Sequence, residues 1–349
     1  MAKYLTIISF ICLVLNSHAQ EGNEQLIVIS DISNFWSAYD KVTSTKTQAL
    51  KIKYLDSLFI QRGTDGLKAI MLVRNLTPQD YVTAIERYPA FWNSIRNNTL
   101  QTEKYSSELQ LAIAKLRKIY PNLKPAKIYF TIGALRTNGT TLNNLILIGS
   151  ELAMSDSSTV SAEFSIEDRA ARELYFDSNP KDDLVLLNLH EYIHTQQKPM
   201  VHNLLSEVLY EGVAEFVSVK ALGVSSAVPA IEFGRKNHQS IISKFQDEMF
   251  YAVNRSKWLW SDAPNDFGVR DLGYYIGYRI CELFYEKSTD KAKAISTMIN
   301  LDYSNESEIE NFVNNTGIFS ASLAELYQTF EKKRPFVIDV KQFEITPIM

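Results

Sequence analysis

Two histidines and a glutamate stand at a spacing that can bind a metal ion. His190 and His194 flank Glu191 in the segment His190-Glu-Tyr-Ile-His194, which follows the apolar run Leu184–Leu189. On an α-helix, residues four apart lie one above the other on the same face. The two imidazoles can therefore bind one zinc ion, and Glu191 beside them can act as a general base on zinc-activated water.

A third ligand is predicted further along the chain. Pro199 is expected to end the first helix, because proline disfavours helical geometry in the residue before it. A second helix is expected from about Asn203, its N-cap, to Leu222, with Gly223 as its stop. A reversal of the chain near Pro199 can bring Glu211 of that helix to the histidines. Two histidines, one glutamate and a water form a known catalytic zinc set.

Other residues of the second predicted helix support this site or compete for it. Glu215, one turn beyond Glu211, is placed to accept the free ring N–H of a ligating histidine. Gly212 costs about 1 kcal/mol relative to alanine inside a helix, which indicates close packing or a functional reason. Glu207 is a competing ligand, because spacing alone does not determine where the two helices cross. A solvated helix face is the alternative interpretation of this stripe of glutamates.

A pair of tyrosines is the candidate for stabilising an oxyanion. In the segment 271–278, Asp-Leu-Gly-Tyr-Tyr-Ile-Gly-Tyr, the residues Tyr274 and Tyr278 lie on one predicted helix face. Attack of water on an amide needs a donor to the oxyanion, and a tyrosine hydroxyl can serve. We predict Tyr274 for this role, with Tyr275 as the second candidate. Aromatic core packing is the alternative interpretation.

The motif residues resemble a known superfamily. His190-Glu-x-x-His194 followed by Glu211-Gly-x-Ala-Glu215 is similar to the gluzincin zinc metallopeptidases, and more narrowly to short bacterial HExxH domains described as predicted zinc-dependent proteases. The resemblance implies that Glu211 is the third zinc ligand. It spans about residues 184–220, with weaker similarity over Ile128–Met154 and Asp271–Tyr285. The G-x-M-E-N motif of the larger aminopeptidases in this superfamily is missing, which argues against an aminopeptidase.

The elements around the motif indicate an α+β, predominantly helical fold with a zincin-like core. Ile128–Ile132 and Leu145–Gly149 are β-branched, apolar runs joined through the turn-rich segment Arg136–Thr140. We predict that they form a small antiparallel sheet before the HExxH helix, with a helical C-terminal subdomain after it. The resemblance implies that an edge strand, here Leu145–Glu151, holds substrate main chain. A plain hairpin packed on helices is the alternative.

Three regions are expected along the chain: a signal peptide at 1–19, a mainly helical region at 20–123, and the metallopeptidase domain at 124–349. The individual elements predicted outside the motif are a strand at Leu26–Ser30, a helix capped by Thr77 with Pro78 in its first turn, an amphipathic helix over Leu100–Tyr120 that ends at Pro121, and a strand at Phe336–Val340.

The first residues have the pattern of a secretory signal peptide. Lys3 precedes the apolar run Tyr4–Leu15 and the small-x-small site Ser17-His-Ala19. Cleavage near Ala19 leaves Cys281 as a single cysteine, so no internal disulfide is expected. We expect a bacterial protein that is periplasmic or secreted. The apolar run is too short to span a bilayer, and no later stretch is long enough.

Charge and composition limit the partners. Loss of Lys3 takes the formal net charge from −4 to −5, and no basic cluster occurs, which argues against nucleic acid and anionic membranes. We expect a zinc metallopeptidase with a peptide or protein substrate. The alternative is a non-catalytic cell-envelope binding or scaffold protein with structural metal or none. A zinc ion with four protein ligands, including His202 or Glu207, would favour that alternative.

Overall fold

The computed structural model describes residues 26–261 and 263–333, and these are mostly helical. A small four-stranded sheet lies among the helices, which confirms the α+β, predominantly helical class. One hydrophobic core extends from Ile27 to Leu323 and includes buried residues on both sides of the predicted boundary near residue 123. The division of the chain into regions stays a prediction.

Two helices in the N-terminal part of the chain begin at local capping signals. The Thr77 side chain accepts a hydrogen bond from the backbone N–H of Asp80, and the Asp80 side chain accepts one from the backbone N–H of Thr77. Pro78 lies in the first turn of the same helix. The helix start predicted at Thr77 is therefore confirmed. Thr64 caps the preceding helix with its side chain. The helices of this part of the chain are α1 (Ser30–Thr43), α2 (Gln48–Leu55, continued by a π-helical turn over Asp56–Ile60), α3 (Asp65–Val73), α4 (Pro78–Arg87), α5 (Pro89–Leu100) and α6 (Ser106–Ile119).

The amphipathic stretch predicted as one helix over Leu100–Tyr120 is divided. α5 ends first, and a 3-10 turn over Thr102–Tyr105 precedes α6. The Thr102 hydroxyl donates to the Thr99 carbonyl at 2.6 Å, and such local side-chain bonds compete with continuous helix. The predicted end before Pro121 is confirmed.

The sheet has the strand order β1-β2-β4-β3, and the predicted antiparallel pair is wrong. Strands β2 and β4 run parallel, with Ile128 beside Ile146. The chain reverses once before β3 and again at Asn143, whose φ is 54°, so β4 regains the direction of β2. The residue types of β3 are small and polar, so the sequence predicts a turn over half of this strand. The strands are β1 (Ile27–Val28), β2 (Lys127–Thr131), β3 (Gly139–Leu142) and β4 (Leu145–Gly149).

The segment Leu145–Glu151, predicted as an edge strand, lies inside the sheet. β4 pairs with β2 on one side and with β3 on the other, so its backbone groups are occupied. Its last two residues already belong to a short helix, because the chain turns at Gly149. Within the described residues, β3 is an edge of the sheet.

The chain after the sheet is helical. Its helices are α7 (Ser150–Ala153), α8 (Ile166–Asp177), α9 (Leu184–His194), α10 (Leu204–Leu222), α11 (Pro229–Lys236), α12 (His238–Glu248), α13 (Arg255–Trp258), α14 (Leu272–Lys287), α15 (Lys291–Asn300), α16 (Glu306–Thr316) and α17 (Leu323–Lys333).

Close packing of α10 against α14 explains the glycine predicted to have a special role. A Cβ atom at Gly212 would overlap the backbone of Gly277, and one at Gly277 would overlap the carbonyl of Val208. Only glycine lets the two helix backbones approach this closely. The expectation of close packing at Gly212 is confirmed, and the contact holds α14 beside Glu211.

Two predicted segments lie outside the described residues: the signal peptide at 1–19 and the strand at Phe336–Val340. Within the described part of the chain, no helix combines the length and apolar character needed to cross a membrane.

Candidate metal centre

The HExxH histidines lie on α9, a helix that is apolar on most sides and buried. Leu184 and Leu189 are fully buried, as is typical of a helix that packs on several neighbours. α9 ends at His194, earlier than the position expected from Pro199. The backbone N–H of Gln196 donates to the carbonyl of Ile193, three residues earlier. The last turn is therefore tighter than an α-helical turn, and the chain leaves the helix there.

The second helix, α10, has both of its predicted ends. The Asn203 side chain accepts the backbone N–H of Ser206 at 2.9 Å, and Gly223 ends the helix with a φ of 73°. These are the local signals that sequence analysis used. Because α10 packs against α9, the middle of α10, which carries Glu211, faces the histidines.

His190, His194 and Glu211 meet at one point and form a group that could hold a metal ion. The two Nε2 atoms are 3.0 Å apart. The Oε2 atom of Glu211 lies 3.1 Å from Nε2 of His190 and 3.4 Å from Nε2 of His194. All three side chains are nearly inaccessible to solvent. The structure therefore brings together the three residues that were predicted as ligands.

This donor set fits a zinc ion. Bonds of about 2.0–2.2 Å at tetrahedral angles separate neighbouring ligand atoms by about 3.3–3.6 Å, so a small outward movement of the three atoms is sufficient. The Nε2 atoms of His190 and His194 face each other, and only one of them can donate a proton to the other. Together with the Glu211 oxygen, more lone pairs than ring protons therefore point at the centre. A cation satisfies these lone pairs together. Three protein ligands are also the number found in catalytic zinc sites.

Both histidines present Nε2 to the centre because their Nδ1 atoms have partners elsewhere. Nδ1 of His190 lies 3.1 Å from Oε2 of Glu215, the acceptor that the sequence predicted. Nδ1 of His194 lies 2.7 Å from Oε1 of Gln197, a partner that sequence analysis missed. The Gln197 amide nitrogen donates to the carbonyl of Tyr210, which turns its oxygen towards His194. Such partners orient metal-binding imidazoles.

Charge in the cluster is balanced between imidazoles and carboxylates. Burial alone would lower the pKa of His190, but the carboxylates of Glu211 and Glu215 outweigh it and raise that pKa to about 10. Burial alone would raise the pKa of Glu211, but the charges of His194 and His190 hold it well below its usual range. A bound cation would compensate the same carboxylates in place of ring protons.

Glu191 lies beside the cluster without bonding to it. It is 7% exposed, and burial raises the pKa of its carboxyl group although the two histidines lower it. Across the described residues, no protein group donates a hydrogen bond to this carboxylate. Strand β3 passes close by, since a Cβ atom at Gly139 would lie 2.6 Å from Oε1 of Glu191. The lone pairs of this carboxylate are therefore not occupied by any described protein donor.

Tyr274 faces the cluster, whereas Tyr275 does not. The ring of Tyr274 stacks on that of His190, with centroids 6.0 Å apart, and its hydroxyl accepts the indole N–H of Trp260 at 3.3 Å. Burial and the nearby Glu211 carboxylate raise the pKa of Tyr274 well above its usual value, so the hydroxyl keeps its proton. The hydroxyl of Tyr275 pairs with His238 at 2.6 Å instead.

Glu207, the competing ligand, is engaged elsewhere. Its fully buried carboxylate accepts the Nε–H of Arg255 at 2.6 Å and lies 3.4 Å from Nδ1 of His202. The side chain of His202 is 77% exposed. Since Glu207, Glu211 and Glu215 are all buried, the interpretation of this stripe as a solvated helix face is wrong.

Comparisons with known proteins identify no relative. The chain matches no family model, no curated protein and no solved structure. The resemblance to gluzincins therefore depends on the motif residues alone.

Proposed function

We propose that this protein is a zinc-dependent metallopeptidase with a zincin-like core. The observation that carries the proposal is the meeting of His190 Nε2, His194 Nε2 and Glu211 Oε2 at one buried point, with Glu191 beside them. Bound zinc lowers the pKa of water from about 15.7 towards about 7 and polarises a carbonyl. The export expected from residues 1–19 would place this activity in the periplasm or outside the cell.

Glu191 is the general base in this proposal. It takes a proton from the attacking water and returns it to the nitrogen of the leaving amine. Its support is a buried carboxylate that accepts no hydrogen bond from the described protein groups and therefore has lone pairs to offer. The proton is thus moved by a group that is already next to the reacting atoms.

Tyr274 is the donor to the oxyanion that forms when water adds to the amide carbonyl. Its hydroxyl accepts a hydrogen bond from Trp260, and its own proton is retained because burial raises its pKa. Contact of its ring with His190 keeps the hydroxyl near the metal ligands.

Strand β3 takes the substrate-binding role that sequence analysis gave to Leu145–Glu151. It lies at an edge of the described sheet, so an extended peptide can pair with its outer side beyond Gly139, whose own N–H and C=O are bound by the Asn138 and Thr137 side chains. Its first residue, Gly139, lies against Glu191, which would place a paired peptide beside the general base.

The scaffold alternative has less support. A fourth protein ligand such as His202 or Glu207 would favour it, but Glu207 pairs with His202 and with Arg255 instead. A set of three ligands is typical of zinc sites that retain a position for water or substrate.

The test is the variant Glu191→Gln, which removes the base but keeps the shape of the side chain. We expect zinc content to stay at the wild-type level and hydrolysis of a broad peptide library to fall by about 10²–10⁴-fold, the usual contribution of a general base. Chelator should abolish wild-type cleavage. Glu207→Gln is the matched control for glutamate loss on the neighbouring helix and should keep both zinc and activity. Wild-type rates in Glu191→Gln would overturn the mechanism.

A further inference from the structure

Arg74 extends from the end of α3 towards the sheet and the metal centre. It is half-buried, and its Nη2 atom donates to the hydroxyl of Thr137 at 2.9 Å. Thr137 lies in the loop that leads into β3. An arginine from the N-terminal helices thus reaches the loop that precedes β3, the strand beside the proposed active site.

Two further contacts connect the Arg74 guanidinium group to Glu191, the proposed general base. The Thr137 hydroxyl donates to the carbonyl of Gly139 at 2.5 Å. The α-carbon of Gly139 lies so close to Glu191 that an added Cβ atom would be 2.6 Å from Oε1. The Arg74 guanidinium therefore faces the Glu191 side of the centre.

The Arg74 guanidinium group has an N–H donor that no described protein group accepts. Across the described residues, no carboxylate lies within ion-pair distance of Arg74, and its Nε atom is buried without a hydrogen-bond partner. Arg96, which is also partly buried, pairs with Asp40, whereas Arg169 donates to backbone carbonyls. A buried N–H donor without a partner is costly unless an acceptor satisfies it, and a carboxylate matches the geometry of a guanidinium group.

The side of the site on which Arg74 lies identifies the part of the substrate that it meets. In the proposed mechanism Glu191 gives its proton to the leaving amine, so the leaving half of the peptide lies next to Glu191. Resting on that mechanism, we propose that Arg74 binds a carboxylate in the leaving half of the substrate. The carboxylate is either the C-terminal carboxylate or an acidic side chain directly after the cleaved bond.

Paired peptides test this inference. One pair differs only in a free or amidated C-terminus one residue after the cleaved bond, and the other carries Glu or Gln directly after that bond in an amidated peptide. For at least one pair we expect the acid to be cleaved with a kcat/KM about 10- to 100-fold above its neutral partner, the range of a charge-assisted hydrogen bond. The pair that shows the preference identifies the source of the carboxylate.

The preference should depend on Arg74 alone. In Arg74→Gln the ratio of acid to neutral substrate should fall close to one, and Arg74→Lys should restore part of it, because lysine keeps the charge without the fork. Arg62→Gln, which changes an exposed arginine of the same region, should keep the wild-type ratio. A wild-type ratio near one, or an unchanged ratio in Arg74→Gln, would overturn the inference while leaving the peptidase proposal intact.

Binding measurements separate failure of this inference from failure of the proposed function. Fluorescent versions of the same peptides are titrated into Glu191→Gln protein and into the Glu191→Gln, Arg74→Gln double variant. Tighter binding of the acid that disappears in the double variant supports the role of Arg74 even if wild type cleaves no peptide. Equal binding of acid and neutral peptides, or no binding of either, overturns it.

Discussion

Two of the regions in which this protein buries carboxylates compensate the charge in different ways. At the metal centre, Glu211 and Glu215 face the imidazole nitrogens of His190. Beside the sheet, Glu151 of α7 faces backbone amides and accepts the N–H groups of Gly133 at 3.0 Å and Leu135 at 2.8 Å. Imidazoles can exchange their protons for a cation, whereas peptide amides cannot.

The amides around Glu151 are held by an unusual backbone conformation. Ala134 and Leu135 have φ values of 47° and 65°, which turn neighbouring N–H groups towards one point. Successive amides in such a turn form a concavity that binds anions. Here the group in the concavity is the protein's own Glu151 carboxyl group. The comparison teaches that Glu151 is a fixed support for the loop before β3, while the acids of α10 suit an exchangeable partner.

Of the effects expected to distinguish the two regions, the largest is a pH dependence of the free energy of unfolding that is caused by Glu151. Burial raises its pKa from 4.5 to about 7, although the backbone hydrogen bonds oppose this. Between these values the folded protein keeps the proton and the unfolded chain loses it. The free energy of unfolding should therefore fall by about 3 kcal/mol as pH rises from 4.5 to 7, given about 1.36 kcal/mol per pKa unit.

The variant Glu151→Gln should remove this part of the pH dependence, because glutamine keeps an acceptor for the amides and does not ionise. The measurement is urea unfolding at pH 4.5, 6 and 7.5 for wild type, Glu151→Gln and Glu103→Gln. The last variant changes an exposed glutamate and should behave as wild type does. If Glu151→Gln keeps the wild-type slope, the charge at Glu151 is compensated in another way.

A smaller effect, on zinc affinity, is expected when Glu215, the residue that orients His190, is replaced. Glu215 accepts the His190 Nδ1–H at 3.1 Å and the Ser226 hydroxyl at 2.5 Å, and glutamine cannot accept both with separate oxygens. We expect Glu215→Gln to weaken zinc binding about 10- to 100-fold, the usual cost of losing such a partner. Competition with a chromophoric chelator measures this affinity. Glu207→Gln is the control, and equal losses in both variants would contradict the orienting role.

The features of the site that could be predicted from the sequence are those that depend on helix geometry. The i, i+4 spacing of His190 and His194 and the one-turn interval between Glu211 and Glu215 determine which side chains share a face. Local caps at Asn203 and Gly223 determine where α10 starts and stops. Such signals act within a few residues, so a single sequence contains them.

The rest depends on contacts between segments that are distant along the chain. The parallel pairing of β2 with β4 required knowing that the polar segment Gly139–Leu142 is a strand, which its residue types do not indicate. Arg74 carries no local signal that links it to Glu191, since β3 and Thr137 connect them in space. Gln197 could have been found as a polar residue one turn after His194.

The central claim, that three side chains bind one zinc ion, is tested most directly by zinc stoichiometry and affinity in purified protein. We predict one zinc per wild-type chain, removable by chelator and recovered on addition of zinc, with binding strongly reduced in His194→Ala and Glu211→Gln. Glu207→Gln should bind as wild type does. Wild-type protein that binds no zinc at saturating concentration, or Glu211→Gln protein that binds it with unchanged affinity, would contradict the claim.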